Sequence, residues 1–375
     1  MKIYSEQDLL RIAKRHNNKK RSYLLVNPKQ AKHIPVSPSD SLKMMRTLGL
    51  ILREKYPATR LIVGFAETAT AIGATVASCF EESMYIHTTR ENVADVRDWV
   101  YFSEEHSHAT EQKLCADKLE KIMESTETII FVDDELSTGK TLINVVERIC
   151  DQFPQIRGKK IIIATLINRV SNDNIKLLES FNIVCEQLLK LDNIDYSSLV
   201  DNYSVEAPRV LNSARENDSI HHIRSNVCLP DPRMGVDSQN YYEVCSLLAK
   251  EAIGTIGAAA FKDKKILVLG TEECMFPALI LGSHIESNFS SSKVFSHSTT
   301  RSPIAVSSKN EYPITSGCRL HSFYEDNRET FIYNVQDYDT IIIITDSKDI
   351  PAEAMADISE AFRDKYNEMF VVKGG

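Results

Sequence analysis

The stretch from Ile129 to Thr141, IIFVDDELSTGKT, constrains this chain more than any other. Ile129 to Val132 is a short apolar run and reads as a buried strand. Asp133 and Asp134 stand where that strand is expected to end. The turn Ser137-Thr138-Gly139-Lys140-Thr141 follows, and a helical pattern then runs from Leu142 to about Cys150. This order places hydroxyls and backbone N–H groups at a helix N-terminus, where a phosphate is favoured. Gly139 has no Cβ to keep the backbone away. The two carboxylates can accept hydrogen bonds from sugar hydroxyls or hold a magnesium ion. A ribose carrying a 5-phosphate satisfies both halves of the stretch.

Gly139-Lys140-Thr141 also ends like the P-loop of nucleotide triphosphatases. That motif requires a glycine five positions before Gly139, and Asp134 stands there. A carboxylate inside a phosphate-wrapping loop repels its ligand. An ordinary capped strand–turn–helix explains the hydroxyls but not the two aspartates. The whole stretch looks like the phosphoribosyl-pyrophosphate (PRPP) loop of type I phosphoribosyltransferases. Glu135 departs from the apolar residue usual at its position.

Before this stretch, residues 6–16 predict an amphipathic helix, and Tyr23 to Val26 a strand. Lys32 to Val36 suits an edge strand because of Pro35. Small β pieces ahead of the main sheet suit a hood over a substrate site. A helix is expected from Asp40 or Ser41 to Lys55. Leu61-Ile62-Val63 is a second apolar strand, ending in the turn Gly64 to Thr70, with a helix from Ala71 to Phe80. A glycine and two threonines before a helix suit an anion. Glu67 suits a metal or an acceptor instead. Met84 to His87 reads as a third strand, with Arg90 just beyond it.

The polar segment from Phe102 to Glu111 carries His106 and His108, with Lys113 after it. Two histidines two apart lack an evident third metal ligand and suit a lid over a reacting centre. Lys160 to Ile167 is a further strand ending in Asn168-Arg169. Apolar strands alternating with helices indicate a parallel sheet whose ligands gather at the carboxyl ends of the strands. The turns at Gly64 and Ser137 lie at such ends.

The chain has 375 residues, enough for two domains. Residues 192–240 are polar and irregular, and a boundary there divides 1–205 from 206–375. Beyond it the sequence repeats. Val236, Gly270, Thr299 and Thr340 match Val36, Gly64, Thr88 and Thr128 at offsets of 200, 206, 211 and 212. Four collinear matches with slowly rising offsets favour a diverged duplication. Where the first copy reads DDELSTGKT, the second reads Thr345-Asp346-Ser347-Lys348-Asp349-Ile350-Pro351. The glycine is absent, and Pro351 removes a backbone donor. Two Rossmann-like, parallel-sheet α/β domains are expected, the second degenerate.

A net charge of −8 argues against a broad nucleic-acid surface. Eight cysteines show no CxxC pair and suit a reduced, cytoplasmic chain. The start MKIYSEQDLL has no apolar signal core, and no apolar run is long enough to span a bilayer.

Gly64 to Thr70, His106 to Glu111 and DDELSTGKT together resemble the orotate-type phosphoribosyltransferases of tellurite-resistance gene clusters. Thr300-Arg301-Ser302-Pro303 resembles the namesake tetrapeptide of the TRSP domain that accompanies them. The resemblance implies transfer of phosphoribose from PRPP to a base-like acceptor, with Mg2+. Asp133 and Asp134 would hold ribose hydroxyls and metal, and Ser137, Thr138, Gly139, Lys140 and Thr141 the 5-phosphate. Gly64, Glu67 and Thr68 would meet pyrophosphate, with Arg90, His106, His108 or Lys113 against its charge or the acceptor. Thr299, Thr300 and Arg301 could hold the acceptor in the second half. A PRPP-sensing regulator and a PRPP-synthetase-like enzyme are the other classes open at this point, and a homodimer is compatible with all three.

Overall fold

The computed structural model describes residues 3–18, 21–102, 112–212 and 220–374. The chain forms two compact units. The first comprises residues 1–6, 43–194 and 230–242, and the second 7–42, 195–229 and 243–375. A short segment of each sequence half is therefore counted with the opposite half's unit.

The first unit is built on a six-stranded sheet. Its order is Val236–Asp237, Met84–His87, Leu61–Gly64, Thr128–Leu136, Lys160–Asn168, Ile183–Lys190, parallel except for the short first strand. The central strands are buried along nearly their whole length, which is why they read as apolar runs without alternation. The helix Thr70–Ala77 is buried at every residue. Its small side chains allow close approach: a Cβ on Gly73 would lie 2.8 Å from the Tyr85 ring and 3.1 Å from the Cα of Gly64. The amphipathic helix Lys140–Gln152 buries Leu142, Ile143, Val145, Val146 and Ile149 in the core of this unit.

The second unit repeats the plan with five parallel strands. The order is Ile220–Arg224, Glu368–Lys373, Thr340–Thr345, Lys265–Gly270, Lys293–Ser298. Ladder register confirms the repeat. Gly64 pairs with Val132 and His87, and Gly270 pairs with Ile344 and Ser298, which reproduces the offsets 206, 212 and 211. The Val36–Val236 match holds too, with a crossing. Val236 pairs with Tyr85 in the first unit, and Val36 bridges Ser296, the equivalent of Tyr85, in the second.

Three local expectations are corrected. The predicted helix over 6–16 is a single turn, Glu6–Leu9, followed by a strand, Arg11–Lys14. That strand pairs antiparallel with Tyr23–Val26, so a tertiary partner overrides the helical spacing. Both strands belong to the second unit, where Ala13 and Val26 join a cluster with Ile304, Tyr312, Phe331 and Tyr333. They are not a hood of the first unit. Lys32 to Val36 makes no strand beyond the single bridge at Val36, because Lys32 turns inward. Among the described residues no helix is long and apolar enough to cross a membrane.

Candidate active site

The strand carrying the aspartates is longer than its apolar run. It continues through Asp133, Asp134 and Glu135 to Leu136, because Lys160–Asn168 runs beside it and supplies ladder partners at Asp133–Thr165, Glu135–Ile167 and Leu136–Asn168. On its other side Leu61–Gly64 stops at Val132. The acids therefore stand beside a notch in the sheet, left where the neighbouring strand has ended. Asp134 lies within the strand, so no phosphate-wrapping loop starts there, and the P-loop reading is removed by the geometry.

The turn after Gly64 fills one side of this notch. Phe65 N–H donates to Val132 O at 2.9 Å, and Ala66 N–H to Thr88 Oγ1 at 2.9 Å. Thr68 Oγ1 donates to Asp134 Oδ1 at 3.1 Å. The two turns singled out in the sequence thus meet at one hydrogen bond. Asp134 also accepts from Glu135 N–H at 3.0 Å, while Asp133 Oδ1 accepts from Asp134 N–H at 2.9 Å. Burial pushes the Asp134 carboxyl above its ordinary range, the charge of Glu135 adds to this, and the hydrogen bonds from its neighbours partly offset it. A fully ionised Asp134 is costly in this setting, and a ligand bringing hydroxyls or positive charge would relieve that cost.

Gly139 has φ near +80° and stands at the cap of the Lys140–Gln152 helix. A Cβ there would also meet Leu178 at 2.9 Å. Only glycine satisfies both conditions without strain. Lys140 N–H donates weakly to Thr138 Oγ1 at 3.3 Å, Lys140 is exposed, and Ser137 and Thr141 are half-buried on the same turn.

Arg90 follows Thr89, which exchanges two backbone hydrogen bonds with Lys113. Lys113 lies on Gln112–Cys115, which forms a hairpin with Trp99–Phe102. Its Nζ sits 4.5 Å from the centre of the Trp99 ring, a cation–π contact. His106 and His108 lie outside the described residues.

Two features escaped the sequence reading. Gln112 joins the turn to the hairpin: its Oε1 accepts from Thr88 Oγ1 at 2.6 Å and its Nε2 donates to Ala66 O at 2.9 Å. A lone glutamine carries no signal of this. Glu135 faces Arg169 at 3.8 Å, and Arg169 Nη2 donates to Asn193 Oδ1 and Ile194 O. The Arg169 side chain is 6% exposed. The acid that departs from the usual motif therefore has a buried cation beside it, and the unusual Glu135 was the signal.

In the second unit Arg301 is held by Glu272 at 2.8 Å and by Glu273 at 3.2 Å. Thr299 Oγ1 accepts from Glu272 N–H, and Thr300 Oγ1 from Ser302 N–H.

Comparison with known proteins places these features. A phosphoribosyl transferase family model matches residues 9–200. A model of the TRSP domain found C-terminal to it matches residues 231–361. No curated protein matches the chain. Among solved structures it is similar to the APRTase of Giardia lamblia complexed with 9-deazaadenine, at 16% identity and a TM-score of 0.37, over 51% of this chain and 98% of that one. It is similar to the adenine phosphoribosyltransferase of Saccharomyces cerevisiae at 13% identity and a TM-score of 0.25, over 40% and 79%. A hypothetical protein of Neisseria gonorrhoeae with bound ppGpp gives 13% identity and a TM-score of 0.25, over 44% and 85%. With its first half covered by that model and the companion domain following, the chain belongs to the phosphoribosyl transferase family and is a phosphoribosyltransferase with a C-terminal TRSP domain.

Proposed function

We propose that the protein transfers 5-phosphoribose from PRPP to a ring nitrogen of a base-like acceptor and releases pyrophosphate. The observation that carries this reading is the Thr68–Asp134 hydrogen bond, which joins the pyrophosphate-type turn to the ribose-type acids. In the reaction the bond from ribose C1 to the pyrophosphate oxygen breaks, a bond from C1 to the acceptor nitrogen forms, and any proton on that nitrogen is released to solvent. Positive charge develops on the ribose and negative charge on the leaving group. Catalysis of such a step is mostly positioning and electrostatics.

Asp133 and Asp134 would accept hydrogen bonds from the ribose hydroxyls and face the developing positive charge. Ser137 to Thr141 would hold the 5-phosphate through amides and hydroxyls, with Gly139 allowing close approach. Gly64, Glu67 and Thr68 would line the pyrophosphate, and Arg90 or Lys113 would offset its charge. Among the described residues no group of three or more His, Cys, Asp or Glu is arranged to hold a metal. Magnesium fits all the same, since it commonly takes one or two carboxylates and completes its shell with substrate phosphates and water. Asp133 and Asp134 would hold it; when bound it neutralises charge on the diphosphate.

The resemblance to the tellurite-resistance enzymes suggests a nucleoside-like product in a stress pathway. The test is incubation with PRPP, magnesium and a panel of bases, read by pyrophosphate release. Release dependent on one class of base is expected. No binding of PRPP with magnesium, and no release with any base, overturns the reading.

A further inference from the structure

The two units align position by position, hydrogen bonds included. Ala66 N–H donates to Thr88 Oγ1, and at the equivalent places Glu272 N–H donates to Thr299 Oγ1. Glu91 N–H donates to Thr89 Oγ1, and Ser302 N–H to Thr300 Oγ1. Thr89 bridges Lys113, and Thr300 bridges Phe331. The register sets Asp346 at the place of Asp134, and Thr271 and Glu272 at those of Phe65 and Ala66. The hairpins correspond as well: Phe102 pairs with Gln112 and Leu320 with Thr330, at the same sequence separation.

In the second unit the tip of this hairpin lies on the carboxyl ends of the strands Lys265–Gly270 and Thr340–Thr345. Tyr324 Oη donates to Asp346 Oδ1 at 2.5 Å and lies 2.7 Å from Thr271 Oγ1. Ser322 Oγ donates to Glu272 Oε1 at 2.5 Å, and Arg328 Nη1 to Glu272 Oε2 at 3.3 Å. The Glu272 side chain is 0% exposed. Lys32, fully buried, fixes the turn further by donating to Glu272 O, Ser298 Oγ and Thr299 O.

We propose that the Ser322–Arg328 tip is a built-in plug. Its hydroxyls and guanidinium cover Asp346, at the place of Asp134, and Thr271 and Glu272, in the turn that corresponds to the one after Gly64. Tyr324 gives Asp346 the hydroxyl that a ribose would give Asp134. Glu272, where the first unit has alanine, fills the turn with a carboxylate that binds Ser322, Arg301 and Arg328. The second unit is thereby closed to phosphorylated sugars and ordered without one. The comparison rests on the proposed role of Asp134, but the plug itself can be judged separately.

The test is hydrogen exchange on the full chain, free and saturated with PRPP and magnesium, and again with ribose 5-phosphate. The segment 321–329 is expected to be protected in the free protein and unchanged by either probe. An unprotected tip, or protection that rises with either probe, overturns the plug. The turn 137–141 serves as internal control: if it does not respond, PRPP binding fails while the tip still answers its own question. Tyr324→Phe and Ser322→Ala each remove one anchor without a large cavity and should speed exchange of the tip about ten- to a hundredfold. Exchange equal to wild type in both variants overturns it. Calorimetry should give one PRPP per chain; a second site, lost in Asp346→Asn, overturns it as well.

Discussion

The turn after Thr128–Leu136 and the turn after Thr340–Thr345 leave equivalent strands and end differently. The first strand extends well past its neighbour, then Gly139 turns left-handed into a helix. The second stops one residue beyond Ile344, and Pro351 leads into the helix Ala352–Ala361. Ser347 N–H donates to Thr345 Oγ1, and Ser347 Oγ to Asp349 O, so hydroxyls there serve the turn itself. Both copies keep an aspartate. An acid on a strand end is a feature of the shared topology; a site also requires a backbone that can wrap a phosphate.

Acid should give the largest difference between the copies. His297 is fully buried in the second sheet, where the first has Ile86. Its Nε2–H donates to Tyr333 O at 2.8 Å, and burial lowers its pKa to about 4 from 6.5. A depressed folded value means that stability from the neutral ring is present above pH 6.5 and is lost as pH falls towards 4. The loss is on the order of 3 kcal/mol. Acid melts of wild type and His297→Gln check it: the variant should show the shallower dependence over that window.

Next come the paired aspartates. Asp134→Asn should weaken PRPP tenfold to a hundredfold, about 1.5–3 kcal/mol for a charge-assisted hydrogen bond. Asp346→Asn should leave PRPP affinity unchanged, because Tyr324 already engages that carboxylate. Side-by-side calorimetry decides, and equal weakening would break the comparison. Gly139→Ala should cost about 1–2 kcal/mol of stability from the left-handed backbone, before the contact with Leu178 is counted. Denaturant melts measure this. The smallest effect is Thr68→Val, which removes the link to Asp134 and should weaken PRPP by about 0.5–1.5 kcal/mol.

The fold was legible where burial makes a strand uniformly apolar. The strands expected at Leu61 to Val63, Met84 to His87, Ile129 to Val132 and Lys160 to Ile167 stand at Leu61–Gly64, Met84–His87, Thr128–Leu136 and Lys160–Asn168. The duplication was legible because insertions changed loop lengths and left strand ends in order. Residues 6–16 misled because helical spacing of a few apolar residues does not reveal an antiparallel partner, Tyr23–Val26, further along the chain.

The sequence by itself determined the two parallel sheets, the acid pair, the glycine turn and the loss of that turn in the second copy. Each is a local property: apolar runs, a residue without Cβ, a proline without a donor. Tertiary structure alone decided that Thr68 reaches Asp134, that Gln112 ties the first turn to its hairpin, and that Glu135 meets Arg169. It also decided that Val36 and Val236 each pair in the unit of the opposite half, and that Tyr324 covers Asp346. These contacts join residues far apart in the chain, and their geometry follows from strand register and hairpin placement rather than from any one segment's composition.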